Sequence, residues 1–587
     1  MKLPNWLRAV LLVGIVLLAY QPVWHAGFIW DDHSHVENNP TMFGPGGLHR
    51  IWFSLGAPQY YPLVFSSFWL ERIFWGTNPA GYHWVNLLLH AGNALLIWRL
   101  LRRLRVPGAW LGAALFALHP VNVETAAWIT ERKNTLAMFF YLVCIWCYLR
   151  SEQRTTDHGP RSKGRGRAMA VGVESAGHSS GLYYGVSLVA FVLALLSKTA
   201  VAPAGVVLLG VGWWQRGQVG RRDLLRSVPF FVLALLLVPI TILVERHTGS
   251  GIVRVDGLWA RLAGAGWAFW FYLYKAVWPL NLVFVYPRWR IDPANWLVYL
   301  PGLMAVGMFL FFWRLRRGWG RGWLAALGYF AVMLGPTLGL VNIYFMRYSL
   351  VSDHWTYFAL IGPMALAGGG IARGLERFRQ TAPWLEPVAC GLLLLAAGTL
   401  TWRQSTIYVD EETLWKHTLS KNPDCWMAHC NLGAAFAAQG KLDEAIAEYR
   451  EALRLEPNFT EAHNNLANEL VAQGKPEEAI PEFERALQLE PRYPDAHNNL
   501  AVQLARQGRV AEAIQHWEEA IRLLPGYAEA EYNLALTLAR EGRTEEAVQH
   551  FQRALQLATV FGMPGLMADS SAQLEKYLPG SVQAPAP

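Results

Sequence analysis

Two adjacent acids, Asp31 and Asp32, lie in the stretch FIWDDHSH (Phe28 to His35), directly after the first long apolar run of the chain. A carboxylate at the edge of a low-dielectric layer loses hydration, which raises its pKa and makes it a stronger proton acceptor once a cation holds it ionised. Further ionisable residues recur at the ends of later apolar runs. HPVNVETAAWITERKN brings His119, Glu124, Glu131, Arg132 and Lys133; Lys198 lies between two runs; Lys275 sits in an aromatic stretch; and RYSLVSDHW carries Arg347, Asp353 and His354. Charged side chains this close to hydrocarbon are costly and mark transport paths or catalysis. Each has a plain alternative, as a solvated loop acid, a snorkelling cation or a capping histidine. Together they supply an acid pair and several cations for one aqueous face. Attack on a lipid-linked phosphate ester needs that set: a carboxylate takes the proton of an acceptor hydroxyl, and Arg or Lys neutralises the leaving phosphate.

The elements that position these residues follow from composition. The chain has 587 residues, 53% hydrophobic and only 16% charged, and its mean hydropathy is positive, which is too apolar for a soluble protein of this size. Apolar runs long enough to span a membrane are expected near 8–24, 83–101, 108–125, 134–149, 182–198, 200–215, 227–244, 295–313, 323–342, 356–372 and 387–402, about eleven in all. Basic clusters follow every second run, at Arg99 to Arg105, Arg161 to Arg167, Arg216 to Arg226, Arg314 to Arg321 and Arg373 to Arg379. The positive-inside rule therefore orients the bundle with its N-terminus in the cytoplasm.

Leu258 to Leu282 does not fit the alternation and reads as a re-entrant or interface-lying helix. The odd count places Asp31, Asp32 and everything after Trp402 on the side opposite the N-terminus, the periplasm or its equivalent. The net charge of +8 hides a basic first part and an acidic tail, with about 15 basic and about 27 acidic residues from Gln404 onward. Insertion bias accounts for the basic excess, and no nucleic-acid partner is expected. The N-terminal run lacks a small-x-small cleavage site and reads as an uncleaved first span. Residues 25–82 form an external loop, and 151–181 a Gly-, Ser- and Arg-rich cytoplasmic linker. Cys144 and Cys147 make a C-x-x-C within an apolar helix and read as buried small hydrophobes, so no disulfide is expected among the five cysteines.

From about residue 425 a strict period of 34 takes over. Gly440, Gly474, Gly508 and Gly542, then Ala445, Ala479, Ala513 and Ala547, then Asn431, Asn465, Asn499 and Asn533 recur in phase, with Pro457, Pro491 and Pro525 between copies. This is the tetratricopeptide repeat (TPR), in four copies over 425–560. Residues 404–424 read as a partial repeat or connector and 561–587 as a cap and tail. Stacked helix pairs of this kind form a concave groove suited to an extended peptide, and Asn431, Asn465, Asn499 and Asn533 are its candidate contacts. The fold class is thus all-α: a polytopic membrane bundle over 1–403 followed by a TPR solenoid.

FIWDDHSHVENNP, the segment Tyr60 to Leu104, ALHPVNVETAAWITERKNTLAMFFYL, LLSKTAVAPAGVVLL, YLYKAVWPLNLVFVYP and SDHWTYFALIG together resemble bacterial relatives of the transmembrane and tetratricopeptide repeat O-mannosyltransferases. The likeness covers nearly the whole chain, domain order included. It implies a GT-C glycosyltransferase fold that moves a sugar from a polyprenyl- or dolichyl-phosphate donor to a protein hydroxyl outside the cytoplasm. By resemblance one of Asp31 and Asp32 is the base, or a ligand if a divalent metal is used; no cofactor is otherwise implied. Arg132, Lys133, Lys198, Lys275, Arg347 and His354 become candidate donor-phosphate contacts, with His119, Glu124 and Asp353 lining the same pocket. Two departures stand out: relatives more usually read Arg-Lys-Asp where this chain has Arg132-Lys133-Asn134, and Arg-Tyr-x-Tyr where it has His354-Trp355-Thr356-Tyr357.

The expected activity is a single inverting displacement that glycosylates Ser or Thr of exported proteins, the repeats holding the acceptor. The rival class is a non-catalytic membrane scaffold whose repeats recruit envelope partners. A transporter is disfavoured because the charges gather at one face, not at mid-membrane.

Overall fold

The computed structural model describes residues 3–42, 46–54, 59–153, 168–247, 254 and 256–578. Helices, with short 3-10 turns and one π turn, make up all the regular structure among them; no strand occurs there. The chain divides into two compact units. One comprises Met1–Asn38 and Ile51–Leu414, the other Asn39–Arg50 and Trp415–Pro587.

Among the described residues of the first unit, five helices are long and apolar enough to cross a membrane: Pro79–Arg103, Ser180–Ser197, Arg221–Val244, Trp296–Arg314 and Leu385–Tyr408. Asn5–Ala19 is a shorter apolar helix. By length and apolar composition, these five fall short of the eleven spans expected from hydropathy. The run at 108–125 is helical only over Ala109–Ala117, because His119-Pro120 starts a 3-10 turn, and proline has no N–H to continue the helix. The runs at 200–215, 323–342 and 356–372 give helices of 13, 15 and 16 residues. The expected external loop holds a 14-residue helix, Pro62–Trp75. Of the expected linker 151–181, residues 151–153 end the helix Arg132–Gln153 and those from Ala168 onward are helical, while 154–167 lie outside the described residues. Leu258–Val277 is a continuous helix.

The short helices are packed unusually closely. A Cβ on Gly108 would collide with the Gly368 carbonyl oxygen, and one on Gly368 would stand 2.6 Å from the Gly112 nitrogen. Glycine is required at this crossing, and at Gly108 it also supplies the left-handed φ of +61°. All five cysteines are free thiols.

The second unit is the solenoid. Its helix pairs are Trp426–Ala438 with Leu442–Leu455, Thr460–Ala472 with Pro476–Leu489, Pro494–Arg506 with Val510–Leu523, and Ala528–Arg540 with Thr544–Phe561. Gly440, Gly474, Gly508 and Gly542 turn each pair with φ between +72° and +81°. Ala445, Ala479, Ala513 and Ala547 are fully buried, as close helix approach demands. The helix Pro564–Tyr577 follows.

A titratable rung crosses each pair. His429 meets Glu448 at 2.6 Å and His463 meets Glu482 at 2.5 Å; the last pair reverses the order, Glu531 meeting His550 at 2.6 Å. The third pair instead sets His497 Nδ1 2.8 Å from His516 Nδ1. Burial and then the neighbouring imidazole hold His516 below its ordinary value of 6.5. Burial opposes protonation of His429 too, but the bond to Glu448 outweighs it and raises that pKa.

The signs are therefore opposite. The contribution of His516 is complete above about pH 6.5 and is lost as pH falls through its folded pKa, whereas that of His429 is present below 6.5 and lost as pH rises. In hydrogen exchange of the intact protein, Pro494–Arg506 and Val510–Leu523 should lose protection at pH 5.5 relative to the other pairs. His516→Glu should restore it by about two- to fivefold, the range for half-exposed pairs. Equal protection of all four pairs at both pH values would contradict the pairing.

Candidate functional site

The helix Pro79–Arg103 carries His83, Asn86, His90 and Asn93 at spacings of three, four and three, which puts all four on one face. All are fully buried, so each must find partners. His83 Nε2 lies 3.2 Å from the Gly27 carbonyl; Asn86 donates to the Trp128 carbonyl at 3.1 Å. His90 bridges the Tyr357 hydroxyl at 2.9 Å and the Ala117 carbonyl at 3.0 Å, and Asn93 donates to the Thr135 carbonyl at 2.8 Å. One polar seam thus grips the segments that precede and carry the acid doublet and both later motifs.

The two acids face different surroundings. Asp32 is fully buried and accepts from the N–H groups of Ile29 at 3.1 Å and Thr130 at 2.8 Å, and from the Thr130 hydroxyl. Burial drives its pKa up to about 7 against those three bonds. Asp32 is thereby the pin that ties the first loop to the ITERKN motif. Asp31 is half-buried; its carbonyl accepts from the Ser34 hydroxyl at 3.1 Å and lies 2.9 Å from His35 Nδ1, while no hydrogen bond or ion pair from the described residues engages its carboxylate. Burial lowers the pKa of His35, which also feels the charges of Asp31, Lys133 and Glu131, so these four groups are neighbours. Trp30, just before the doublet, adopts a left-handed φ of +45°. It stacks on Trp128 at 5.4 Å and meets the edges of Phe284, Phe345 and Tyr348.

Two cations converge beside this corner. Lys133 lies 3.0 Å and Lys198 3.5 Å from the carboxylate of Glu131, which is fully buried. Burial alone would raise the Glu131 pKa, but Lys133, Lys198 and His354 pull it down to about 2, so it stays ionised. Burial brings Lys198 down to about 8 even with Glu131 opposing. Lys133 also sits over the Trp128 ring at 5.4 Å. Asn134 donates to Glu131 and, at 3.1 Å, to the His354 carbonyl. His354 Nδ1 is 2.7 Å from Glu124, which also accepts from the Ser352 hydroxyl at 3.1 Å. The 132–134 and 352–354 motifs thus interlock, and Asn134 is the amide between them.

The other expected contacts have partners of their own. Arg132 is fully buried in an ion pair with Glu71 and also donates to Asn86, Ser67 and the Tyr82 carbonyl, so its guanidinium is committed to protein partners and not to a phosphate. His119 caps the 3-10 turn at Pro120 and lies 3.2 Å from the Ala276 carbonyl. Lys275 donates to the carbonyls of Leu280 at 2.7 Å and Asn281 at 3.1 Å, under the Phe271, Tyr274 and Tyr286 rings. Asp353 accepts from the Tyr286 hydroxyl at 2.9 Å, and burial, then Glu124, raises its pKa. Arg347 ends the 3-10 turn Tyr344–Arg347, next to the Phe345 that packs on Trp30 and His354.

In the solenoid, Asn499 donates to Asn464 at 3.2 Å and Asn533 to Asn498 at 3.1 Å; Asn465 approaches Cys430 Sγ at 3.9 Å, and Asn431 donates to Met427 of its own helix. Three of these amides thus bridge neighbouring repeats, and Asn431 is bound within its own helix. The acid doublet does not fit a shared divalent cation, because protein donors occupy Asp32. No group of three His, Cys, Asp or Glu able to hold a metal occurs among the described residues.

The residues that hydropathy and motif spacing passed over are His35, Thr130 and the His83–Asn93 seam. The seam had a readable signal, its three-four-three spacing within an apolar run.

The tetratricopeptide repeat family matches residues 464–528 and 504–559, and a second TPR repeat description matches 433–468. Among curated proteins, the chain is 30% identical over 146 residues to protein O-mannosyl-transferase tmtc2 of Xenopus laevis, covering 23% of this chain and 18% of that protein. It is 28% identical over 186 residues to human TMTC4, covering 27% and 25%, and 31% identical over 166 residues to mouse TMTC1, covering 26% and 17%. The chain spans about a fifth of the length of the curated relatives it matches. Among solved structures, MamA is 25% identical over 25% of this chain and 86% of its own, with a TM-score of 0.24. The thermophilic TPR protein TTC0263 of Thermus thermophilus is 22% identical over 32% and 97%, with a TM-score of 0.26. Over part of its length the chain is thus similar to the TMTC proteins, and it carries a TPR array.

Removing one partner of a buried ion pair leaves the other charge stranded, which costs about 3–5 kcal/mol. Arg132→Met should therefore sharply lower the melting temperature of the detergent-solubilised protein, and adding Glu71→Leu should recover most of the loss. A folded Arg132→Met protein impaired only in donor binding would instead make Arg132 a phosphate contact.

Proposed function

We propose that the chain is an integral-membrane glycosyltransferase that transfers a sugar from a polyprenyl-phosphate donor to Ser or Thr hydroxyls of exported proteins. The observation that carries this reading is the corner where an unengaged carboxylate, Asp31, stands beside a lysine pair ordered by a permanently ionised glutamate. The names of the relatives support sugar transfer to protein, with mannose as the sugar.

In this reading the acceptor hydroxyl gives its proton to the Asp31 carboxylate as its oxygen bonds to the anomeric carbon. The bond from that carbon to the phosphate oxygen breaks in the same step, with inversion. The leaving lipid phosphate takes the bonding pair, and Lys133 and Lys198 neutralise it. Asp32 holds the loop in register and does not exchange its proton with the acceptor. The solenoid binds the acceptor chain. The bundle lies in a bacterial inner membrane with its N-terminus cytoplasmic and its repeats periplasmic, and the shorter, broken helices complete the crossings, eleven in all.

Asp31→Asn should abolish transfer by at least about a hundredfold, the worth of a general base, with little change in melting temperature, because the carboxylate has no partner to lose. Lys198→Met should raise the apparent KM for the lipid donor more than it lowers kcat. Mass spectrometry of exported proteins from cells with and without each variant reads both sugar mass and acceptor site. Undiminished glycosylation by Asp31→Asn would refute the assignment, and an identical glycan profile with and without the protein would favour the scaffold reading.

A further inference from the structure

At the other end of the bundle lies a cavity of about 730 Å³. It opens where Pro79–Arg103 finishes, roughly 30 Å along that helix from His83 at 1.5 Å per residue, so it is separate from the Asp31 corner. Four arginines line it, Arg105, Arg317, Arg321 and Arg373, and no aspartate or glutamate does. Arg321 is held in place, donating to the carbonyls of Trp214 at 2.7 Å and Gln215 at 2.9 Å. Arg105 enters on a left-handed residue, φ +56°. Arg105, Arg317 and Arg373 have no ion-pair partner among the described residues. Below the cations the walls are apolar, with Leu101, Leu142, Ile145, Val207, Val332 and Ile361 among them, and tryptophans including the stacked pair Trp213 and Trp313 stand at the rim.

A cluster of cations without counter-ions needs an anion, and an apolar floor beneath it excludes a fully hydrated one. Tryptophans at the same level mark the membrane–water boundary. Basic pockets between membrane helices on the arginine-rich side bind lipid head groups by this combination, and the volume is within the range of ligand-sized cavities. The geometry points to a binding site for an anionic glycerophospholipid, with its phosphate among Arg105, Arg317, Arg321 and Arg373 and its acyl chains along the Leu101–Ile145–Val332 wall. The occupant is a resident lipid of the leaflet on the arginine side, not the sugar donor. The assignment does not depend on the transferase reading, only on these helices lying in a bilayer.

The test is native mass spectrometry of the full chain, solubilised with phosphatidylglycerol or with phosphatidylcholine of the same acyl chains. Phosphatidylglycerol should be retained at least about tenfold better, and Arg317→Gln with Arg373→Gln should remove that preference, each exposed arginine contributing a comparable share. Arg314→Gln, outside the cavity, should leave it intact. Millimolar inorganic phosphate should not displace the lipid, and brominated phosphatidylglycerol should quench tryptophan fluorescence in the parent and not in the double variant. Equal retention of both lipids, a preference that survives the double substitution, or displacement by inorganic phosphate would each overturn the proposal. Because the double variant lies far from Asp31, loss of lipid retention with normal transfer, or the reverse, separates this proposal from the catalytic one.

Discussion

Four polar side chains on one face of an apolar helix hold the first unit together. His83, Asn86, His90 and Asn93 are fully buried, and each binds a backbone carbonyl on another segment. Hydrophobic contact is non-directional in a bilayer, where lipid tails are as apolar as side chains. Directional bonds from one rigid rod therefore fix the register of Gly27, Ala117, Trp128 and Thr135 relative to one another. The position of Asp31 is inherited from that register, through the Asp32–Thr130 bonds.

This explains why the chemistry-bearing motifs are irregular and yet the least exposed parts of the unit. Every residue from 111 to 135 and from 349 to 364 is buried, although much of this backbone is 3-10 turn or extended. Non-helical backbone at membrane depth is tolerated only where protein supplies its hydrogen bonds. The seam supplies several, and the Glu124–Ser352–His354 set supplies more. The short helices around these segments are the price of placing polar turns inside the bundle, and the glycine crossing at Gly108 and Gly368 shows how closely they pack.

The sequence made some of this plain and hid the rest for physical reasons. The four TPR helix pairs were legible, since a 34-residue period repeats a single local solution. Long apolar helices were legible where nothing interrupts the apolar run, as at Arg221–Val244 and Leu385–Tyr408. Hydropathy could not separate a span from a helix that ends at Ala117, ahead of Pro120, because apolar residues continue through the break. The motifs marked segments that the fold brings together, but residue type alone did not show what each side chain would meet. Arg132 and Lys133 are adjacent and both cationic, yet one is sealed against Glu71 and the other reaches the Asp31 corner. Asp31 and Asp32 likewise differ only in which way the turn presents them.

Trp30 occupies a backbone basin that bulky residues avoid, at a cost of about 1–3 kcal/mol. Rings from three other stretches of chain hemmed around it prevent it from slipping back. The direction in which the next residue aims its carboxylate is thus maintained under tension by a distributed aromatic clamp. Drift at any one of those rings would loosen the aim of the neighbouring acid without touching the acid itself, so the rings are expected to change together or hardly at all.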